Sequence, residues 1–510
     1  MAVQGRRSGV LPCDRLRRRL SARRIDAAAG QAARWGVATA DLEVADLSAC
    51  ELRRKIERRE ISPVELVQAC LDRVEAHGER LNAVVTLNER AVDEAREAEA
   101  SLARGEPAGP LFGLPVGIKD VTPVAGLRTT YGSPLFADHI AVADALVVRR
   151  LKRAGAIVLG KTNTPEFAAG ANTFNPVFGP TRNPWDPALS AVGSTGGGAA
   201  ALASGMIALA EGTDLGGSLR VPAAFCGVVG LRPSAGFVPT YPSYHLWDTL
   251  QATGGMARTA EDLALMMEAV AGPSPHTPIN QPGPATGLLD SVRRLATEPV
   301  DLRLAYCPDI AAIGVNERVE ETCRAAAFDL CDERVSVEEV ALDLSFAREA
   351  FLTLRGYWMV AHHHALLDRL DLLGDNLAGN IRAGLESPPE RLGAAERDRS
   401  RLWERMGDLF QHFDALLTPC VAVPPFPVEE NHPSTIGGRQ MNSYIDWIAP
   451  TFLLSLSGLP AASVPAGLDP SGLPVGLQIA AGPFGEAMVL GLAARVQEKR
   501  PIGLPELPGS

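Results

Sequence analysis

The chain has 510 residues, 46% of them hydrophobic and 21% charged, and a formal net charge of −11. That composition suits a globular protein with a large core, and the acid excess excludes a general electrostatic grip on nucleic acid. Nowhere does an apolar run reach the roughly 18 residues that a membrane span requires.

The first 30 residues depart from this trend, with eight arginines against two aspartates. Arg6-Arg7 hints at a twin-arginine signal, but Arg15 to Arg19 interrupt where its apolar stretch should begin. A mitochondrial-type presequence fits on composition alone. The expectation is a loose basic tail over residues 1–41. Ser48 then reads as a helix N-cap, with Leu52 and Ile56 at helical spacing. After a break at Ser62-Pro63 the spacing resumes at Leu66, Cys70 and Val74, which predicts a second helix.

"GLPVGIKDV" reads as a short strand ending at Lys119, and "ADALVVRRLKRAGAIVLGKTN" as helix, glycine turn and strand. "GSTGGGAAALASGMIALAEGTDLGGS" reads as a turn, a helix of small residues over 199–210, a short strand and a second turn. Residues 240–300 read as loops around one helix, "TAEDLALMMEAVAG", and residues 310–415 as mostly helical. Near the end, two strands are joined by the turn "DPSG". Alternation of this kind predicts an α/β fold, a single large domain over 42–510 with a mixed sheet covered by helices and a variable helical region at 300–410.

The eight cysteines include no C-x-x-C pair, so they are expected to be reduced in a cytoplasmic protein, with Cys226 a core thiol. G-x-x-x-x-G-K-[ST], G-x-S-x-G and H-E-x-x-H are all absent. His362-His363-His364 invites a metal, but neighbours in sequence point around a helix and no carboxylate cluster joins them. No metal and no cofactor are expected.

Two glycine turns remain. Backbone N–H groups around Gly216-Gly217 can converge on an oxyanion. Ser218, at the end of that turn, is then placed to attack a carbonyl. A serine nucleophile needs a base. Lys119 would serve if burial kept it neutral, with the proton relayed through Ser194. On the residues alone a second reading stands: two turn serines and a lysine that snorkels to the surface.

The stretch from Gly193 to Ser234 resembles the signature block of the amidase signature family, in which a G-S-S-G-G turn and an alanine-rich helix precede G-T-D-x-G-G-S-x-R-x-P-A. "GLPVGIKD" is similar to its catalytic-lysine segment, and "GKTNTPEFA", "FGPTRNPWD" and "GLPVGLQIAAGPFGEA" extend the resemblance over residues 42–499. The resemblance implies that Lys119 is the base, Ser194 the bridging serine after a cis peptide bond, and Ser218 the acyl-forming nucleophile. It implies oxyanion donors at Leu215, Gly216, Gly217 and Ser218, and supporting roles for Asp214 and Arg220. Thr195 stands where the family often has a second serine, and Gln251 and Gly255 stand where it has aspartate and proline.

The implied activity is hydrolysis of small amides, aryl or hydrophobic. The alternatives are carbamate hydrolysis, a partner-dependent subunit of the glutamyl-tRNA amidotransferase type, and a non-catalytic amide-binding protein. Gly170, Asn172, Phe174, Thr195, Tyr244 and Trp247 are expected to contact substrate. A homodimer is among the assemblies the resemblance allows.

Overall fold

The computed structural model describes residues 44–282, 287–441 and 443–507. The tail expected over 1–41, with Cys13, lies outside them. Helix α1 (Ala49–Glu57) starts where Ser48 Oγ accepts the Glu51 N–H at 3.2 Å. Helix α2 (Pro63–Leu81) opens with a reciprocal cap: Ser62 Oγ accepts from the Glu65 N–H, and Glu65 Oε2 from the Ser62 N–H. Such a cap is worth about 1 kcal/mol, and it explains why the break falls at Ser62-Pro63.

β1 (Val84–Leu87), α3 (Ala91–Ala103), β2 (Pro115–Lys119), α4 (Leu146–Arg153) and β3 (Ile157–Thr162) follow. Then come α5 (Gly196–Ala203), β4 (Leu209–Asp214), α6 (Arg220–Cys226), β5 (Val229–Arg232) and β6 (Ala252–Ala257). The small-residue helix is thus shorter than expected. Ser204 Oγ turns back to the carbonyls of Ala200 and Ala201, and the apolar stretch from Leu209 joins the sheet. β6 is a second correction, because residues 240–300 were expected to be loops around a helix. Its glycines explain the misreading: a Cβ on Gly254 would lie 2.3 Å from the Leu231 carbonyl oxygen. Close strand approach, not looseness, is what glycine provides there.

Helices α7 (Ala260–Val270) and α8 (Leu288–Thr297) precede β7 (Leu302–Tyr306), α9 (Glu317–Phe328) and β8 (Val335–Glu339). The helical region continues as α10 (Arg348–His362), α11 (Asp375–Leu385) and α12 (Pro389–Phe410). β9 (Ala415–Pro419), the small hairpin β10 (Thr435–Ile436) and β11 (Arg439–Gln440), α13 (Ala449–Ser457), β12 (Ala461–Leu468), β13 (Pro474–Ala481) and α14 (Glu486–Lys499) complete the chain.

Eleven strands form one mixed sheet in the order β1-β3-β2-β4-β6-β5-β12-β13-β9-β7-β8. Two clusters of buried apolar side chains flank the functional strands. The second contains Phe351 of α10 stacked on Phe452 of α13 with ring centroids 4.4 Å apart, which ties the helical region to the sheet. β2 and β4 are parallel neighbours, with Ile118 opposite Glu211. The carboxyl ends of both strands therefore emerge side by side. Cys226 is buried, and burial pushes its thiol well above the usual range, as expected of a core residue. Among the described residues no helix is long and apolar enough to cross a membrane.

Candidate active site

Lys119 is the last residue of β2, and its side chain is completely buried. Its Nζ lies 2.6 Å from Ser194 Oγ, 3.2 Å from Thr213 Oγ1 and 3.4 Å from the Thr213 carbonyl. Burial pushes the amine down to about 7, while Glu211 and Asp214 pull it partly back up. A lysine so placed exchanges its proton near neutrality, and snorkelling to a surface is ruled out. Ser194 is equally buried, and the Gly193–Ser194 peptide bond is cis.

Ser218 lies in the turn between β4 and α6, facing a narrow cavity that Ser194 and Thr213 also reach. Its carbonyl accepts the Thr195 N–H at 3.2 Å, joining the two glycine turns. Among the described residues no hydrogen bond joins Ser218 Oγ to Ser194. The Lys119–Ser194 contact is closed, and Ser218 opens on the cavity.

Asp214 organises the turn. Its carboxylate accepts the N–H groups of Gly217 at 2.8 Å and Leu219 at 3.1 Å. It also pairs with the Arg220 guanidinium at 2.9 Å and approaches that of Arg232 at 3.7 Å. Burial pushes the carboxyl up, but the two arginines and the Leu219 N–H outweigh it and hold the group well below the usual carboxylate range. Arg220 continues the tie to Gln478 Oε1 at 2.6 Å and to the Thr451 carbonyl at 3.0 Å. Asp214 and Arg220 are thus structural ties, as the resemblance implied.

This geometry corrects one expected oxyanion donor. The Gly217 N–H is engaged by Asp214 and Gly217 does not reach the cavity, whereas Leu215, Gly216 and Ser218 do. Among the described residues, none of those three N–H groups has an acceptor. Gly217 instead serves the turn. Its φ is +124°, and a Cβ there would lie 2.2 Å from Thr451 Oγ1.

Of the residues expected at the substrate, Gly170 lines the cavity. Asn172 does not, because its side chain is spent on the Glu430 carbonyl at 2.7 Å and on Ser190 Oγ. Thr195 is buried behind the turn, with its methyl towards Gly212. Phe174, Tyr244 and Trp247 are 38%, 86% and 72% exposed and lie outside the cavity wall. Aromatic character suggested a wall there, but two separate loops carry these rings outward.

The actual wall comes from Phe167 and Gln251, from Arg355, Trp358 and Met359 of α10, and from Tyr444, Ile445 and Ile448. Arg355, Trp358 and Met359 were not singled out beforehand. A lone arginine in the apolar run "AFLTLRGYWMV" was the available signal. The histidine triplet ends this helix. His362 stacks on Trp358 at 3.8 Å, and His363 packs on Phe167 at 5.0 Å. Burial, with help from His362, pushes His363 down to about 4. Among the described residues no group of His, Cys, Asp and Glu is arranged to hold a metal ion.

Comparison with known proteins identifies the family to which this fold belongs. The family model "Amidase" matches residues 65–490. An acylamidase of Rhodococcus erythropolis is 34% identical over 464 residues, covering 89% of this chain and 96% of the relative. A glutamyl-tRNA(Gln) amidotransferase subunit of Carboxydothermus hydrogenoformans is 35% identical over 479 residues, covering 89% and 97%. Among solved structures, a bacterial aryl acylamidase superposes with a TM-score of 0.84 at 28% identity, covering 90% of this chain and 97% of its own. A 6-aminohexanoate cyclic dimer hydrolase gives 0.82 at 25% identity, covering 91% and 100%. With its sheet, its buried lysine and its two glycine turns, the chain belongs to the amidase signature family and is an amide-hydrolysing enzyme.

Proposed function

We propose that this enzyme is a free-standing amidohydrolase that cleaves the C(=O)–N bond of small amides with an aryl or hydrophobic part. The observation that carries the reading is the 2.6 Å contact between the buried Lys119 amine and Ser194 Oγ, directly beside the cavity that holds Ser218. Neutral Lys119 takes a proton from Ser194, which takes one from Ser218. Ser218 Oγ attacks the carbonyl, and the N–H groups of Leu215, Gly216 and Ser218 receive the oxyanion. The proton returns to the leaving nitrogen, and water then opens the acyl-enzyme by the reverse path. Phe167, Trp358, Met359, Ile445 and Ile448 supply an apolar wall that fits a hydrophobic substrate. The same attack would serve a carbamate, which is the nearest variant.

A second reading, an ammonia-releasing subunit that works with partner chains, is favoured by relatives such as the Carboxydothermus amidotransferase protein. The cavity offers glutamine only half of what it needs, since Arg355 on its wall suits the α-carboxylate but nothing there among the described residues suits the other charge. The α-ammonium of glutamine calls for an acidic partner, and no Asp or Glu lines the cavity among the described residues.

The test is hydrolysis of an aliphatic amide, an anilide, an aryl carbamate and glutamine by the purified protein and its Ser218→Ala variant. Product from an amide with the parent alone is expected. Turnover of glutamine only would favour the partner-dependent reading. Turnover of none would overturn the free-standing enzyme and leave a binding protein or a component that needs its partners.

A further inference from the structure

Arg355 is a buried cation on the cavity wall, and its charge has no counterpart among the described residues. It is 5% exposed and sits on α10 one turn before Trp358 and Met359, so all three face the cavity together. Its two terminal nitrogens donate to Asn380 Oδ1 and to Tyr444 Oη, both neutral. The guanidinium carbon lies 5.3 Å from the centre of the Tyr444 ring. The other buried arginines beside the site behave differently, since Arg220 and Arg232 share the Asp214 carboxylate. Asp248, which also approaches α10, is committed to Trp358 Nε1 at 2.6 Å and to the backbone of Leu250 and Gln251.

Hydrogen-bond accounting points the same way. A guanidinium has five donors and no acceptor, and two of the five are used here. Tyr444 Oη accepts from Arg355 and, at 2.7 Å, from Asn380 Nδ2. With both lone pairs taken, its own O–H must donate elsewhere. Arg355 and Tyr444 thus present surplus donors at one wall. Burying an unpaired charge is costly unless an opposite charge completes it, and a carboxylate is the group whose geometry a guanidinium fork matches.

We propose that Arg355 and Tyr444 form an anion subsite, and that the amide hydrolysed here carries a carboxylate apart from the bond that is cut. Monoamides of dicarboxylic acids have this chemistry, and so do N-acyl amino acids. The turnover half of the idea rests on the hydrolase reading above. The binding half does not.

Two measurements separate the halves. The first compares kcat/KM for glutaric acid monoanilide and the uncharged pentananilide in the parent, Arg355→Gln, Arg355→Lys and Tyr444→Phe proteins. The parent is expected to prefer the charged anilide by about tenfold or more, the range for a charge-assisted hydrogen bond. Arg355→Gln is expected to erase that ratio through KM, Arg355→Lys to restore part of it, and Tyr444→Phe to lower it in part. An equal loss on both anilides in Arg355→Gln, or a parent that prefers the neutral one, overturns the subsite.

The second measurement is calorimetric binding of glutarate to the Ser218→Ala protein. Binding that disappears in Ser218→Ala/Arg355→Gln, but survives in Ser218→Ala alone, supports the subsite even if neither anilide is turned over, and then only the hydrolase reading fails. Absence of glutarate binding to Ser218→Ala overturns the subsite. Circular dichroism and melting of each variant identify any that fails to fold, and Tyr444→Phe, which deletes one oxygen, then carries the test.

Discussion

The carboxylate of Asp214 accepts the Gly217 N–H at 2.8 Å while pairing with Arg220 at 2.9 Å. One buried acid therefore shapes the turn that carries Ser218 and is shared by the two cations behind it. Replacing it by Asn keeps the volume but strands two guanidinium groups away from water. Asp214→Asn is expected to lower the unfolding free energy by about 3 kcal/mol or more. A urea titration checks this, and a change below about 0.5 kcal/mol would mean that the pairing carries little.

The contact of Gly217 with Thr451 gives a steric prediction. A methyl group at Gly217 would meet Thr451 Oγ1, which donates to the Gly216 carbonyl at 2.7 Å, and would sit at a positive φ. Gly217→Ala is expected to cost roughly 2 kcal/mol or more and to suppress turnover far more than substrate binding. Thermal melts and a kcat-against-KM comparison test it, and a variant with normal kcat would contradict the turn geometry described here.

In the proposed mechanism, protonation of Lys119 sets the acid limb of the rate profile. With its pKa lowered to about 7, the amine gains a proton as pH falls through neutrality and ceases to be a base. kcat/KM should fall tenfold per pH unit below that point. Glu211, which accepts the Lys119 N–H at 3.2 Å, raises the lysine pKa by its charge. Glu211→Gln should therefore move the acid limb to lower pH. A profile that stays flat to pH 5 would remove lysine from the role of base.

Covalent trapping addresses Ser218 itself. Acid quench during turnover of an anilide should reveal a mass increase equal to the acyl group on the peptide that contains Ser218. Ser218→Ala should lose that adduct and about a thousandfold or more in kcat. Ser194→Ala should slow acylation severely while leaving Ser218 in place. An adduct on any other residue would reassign the nucleophile.

Much of this was legible because local chemistry and final position coincide. Ser48 and Ser62 announce helices whose caps form as their side chains dictate. Lys119 at the end of an apolar strand, and Ser218 after two glycines, stand out before any contact is known. The cavity wall was not legible in the same way. Trp247 and Tyr244 look like a binding wall but are carried outward by their loop, while Arg355 and Trp358 join the cavity of Ser218 through tertiary packing of α10, its Phe351 ring stacked on Phe452 of α13 among the contacts. That contact joins segments far apart in the chain, and no local pattern encodes it. β6 was hidden for the opposite reason, since glycines that permit close strand packing look like those of a turn.

The parallel pairing of β2 with β4 has a consequence for how such an enzyme can change. Lys119 and Thr213 are held at adjacent strand ends by the backbone ladder, so the amine proposed as the base is anchored by features common to any side chains the sheet tolerates. The side chains that line the rest of the cavity come largely from α10 and from residues 444–448, more than 100 positions later. On the proposed mechanism, reaction and selectivity are therefore written in separate passages of the chain. Substitutions in the later passage can redirect the enzyme to a new amide while the earlier one keeps cutting the same bond.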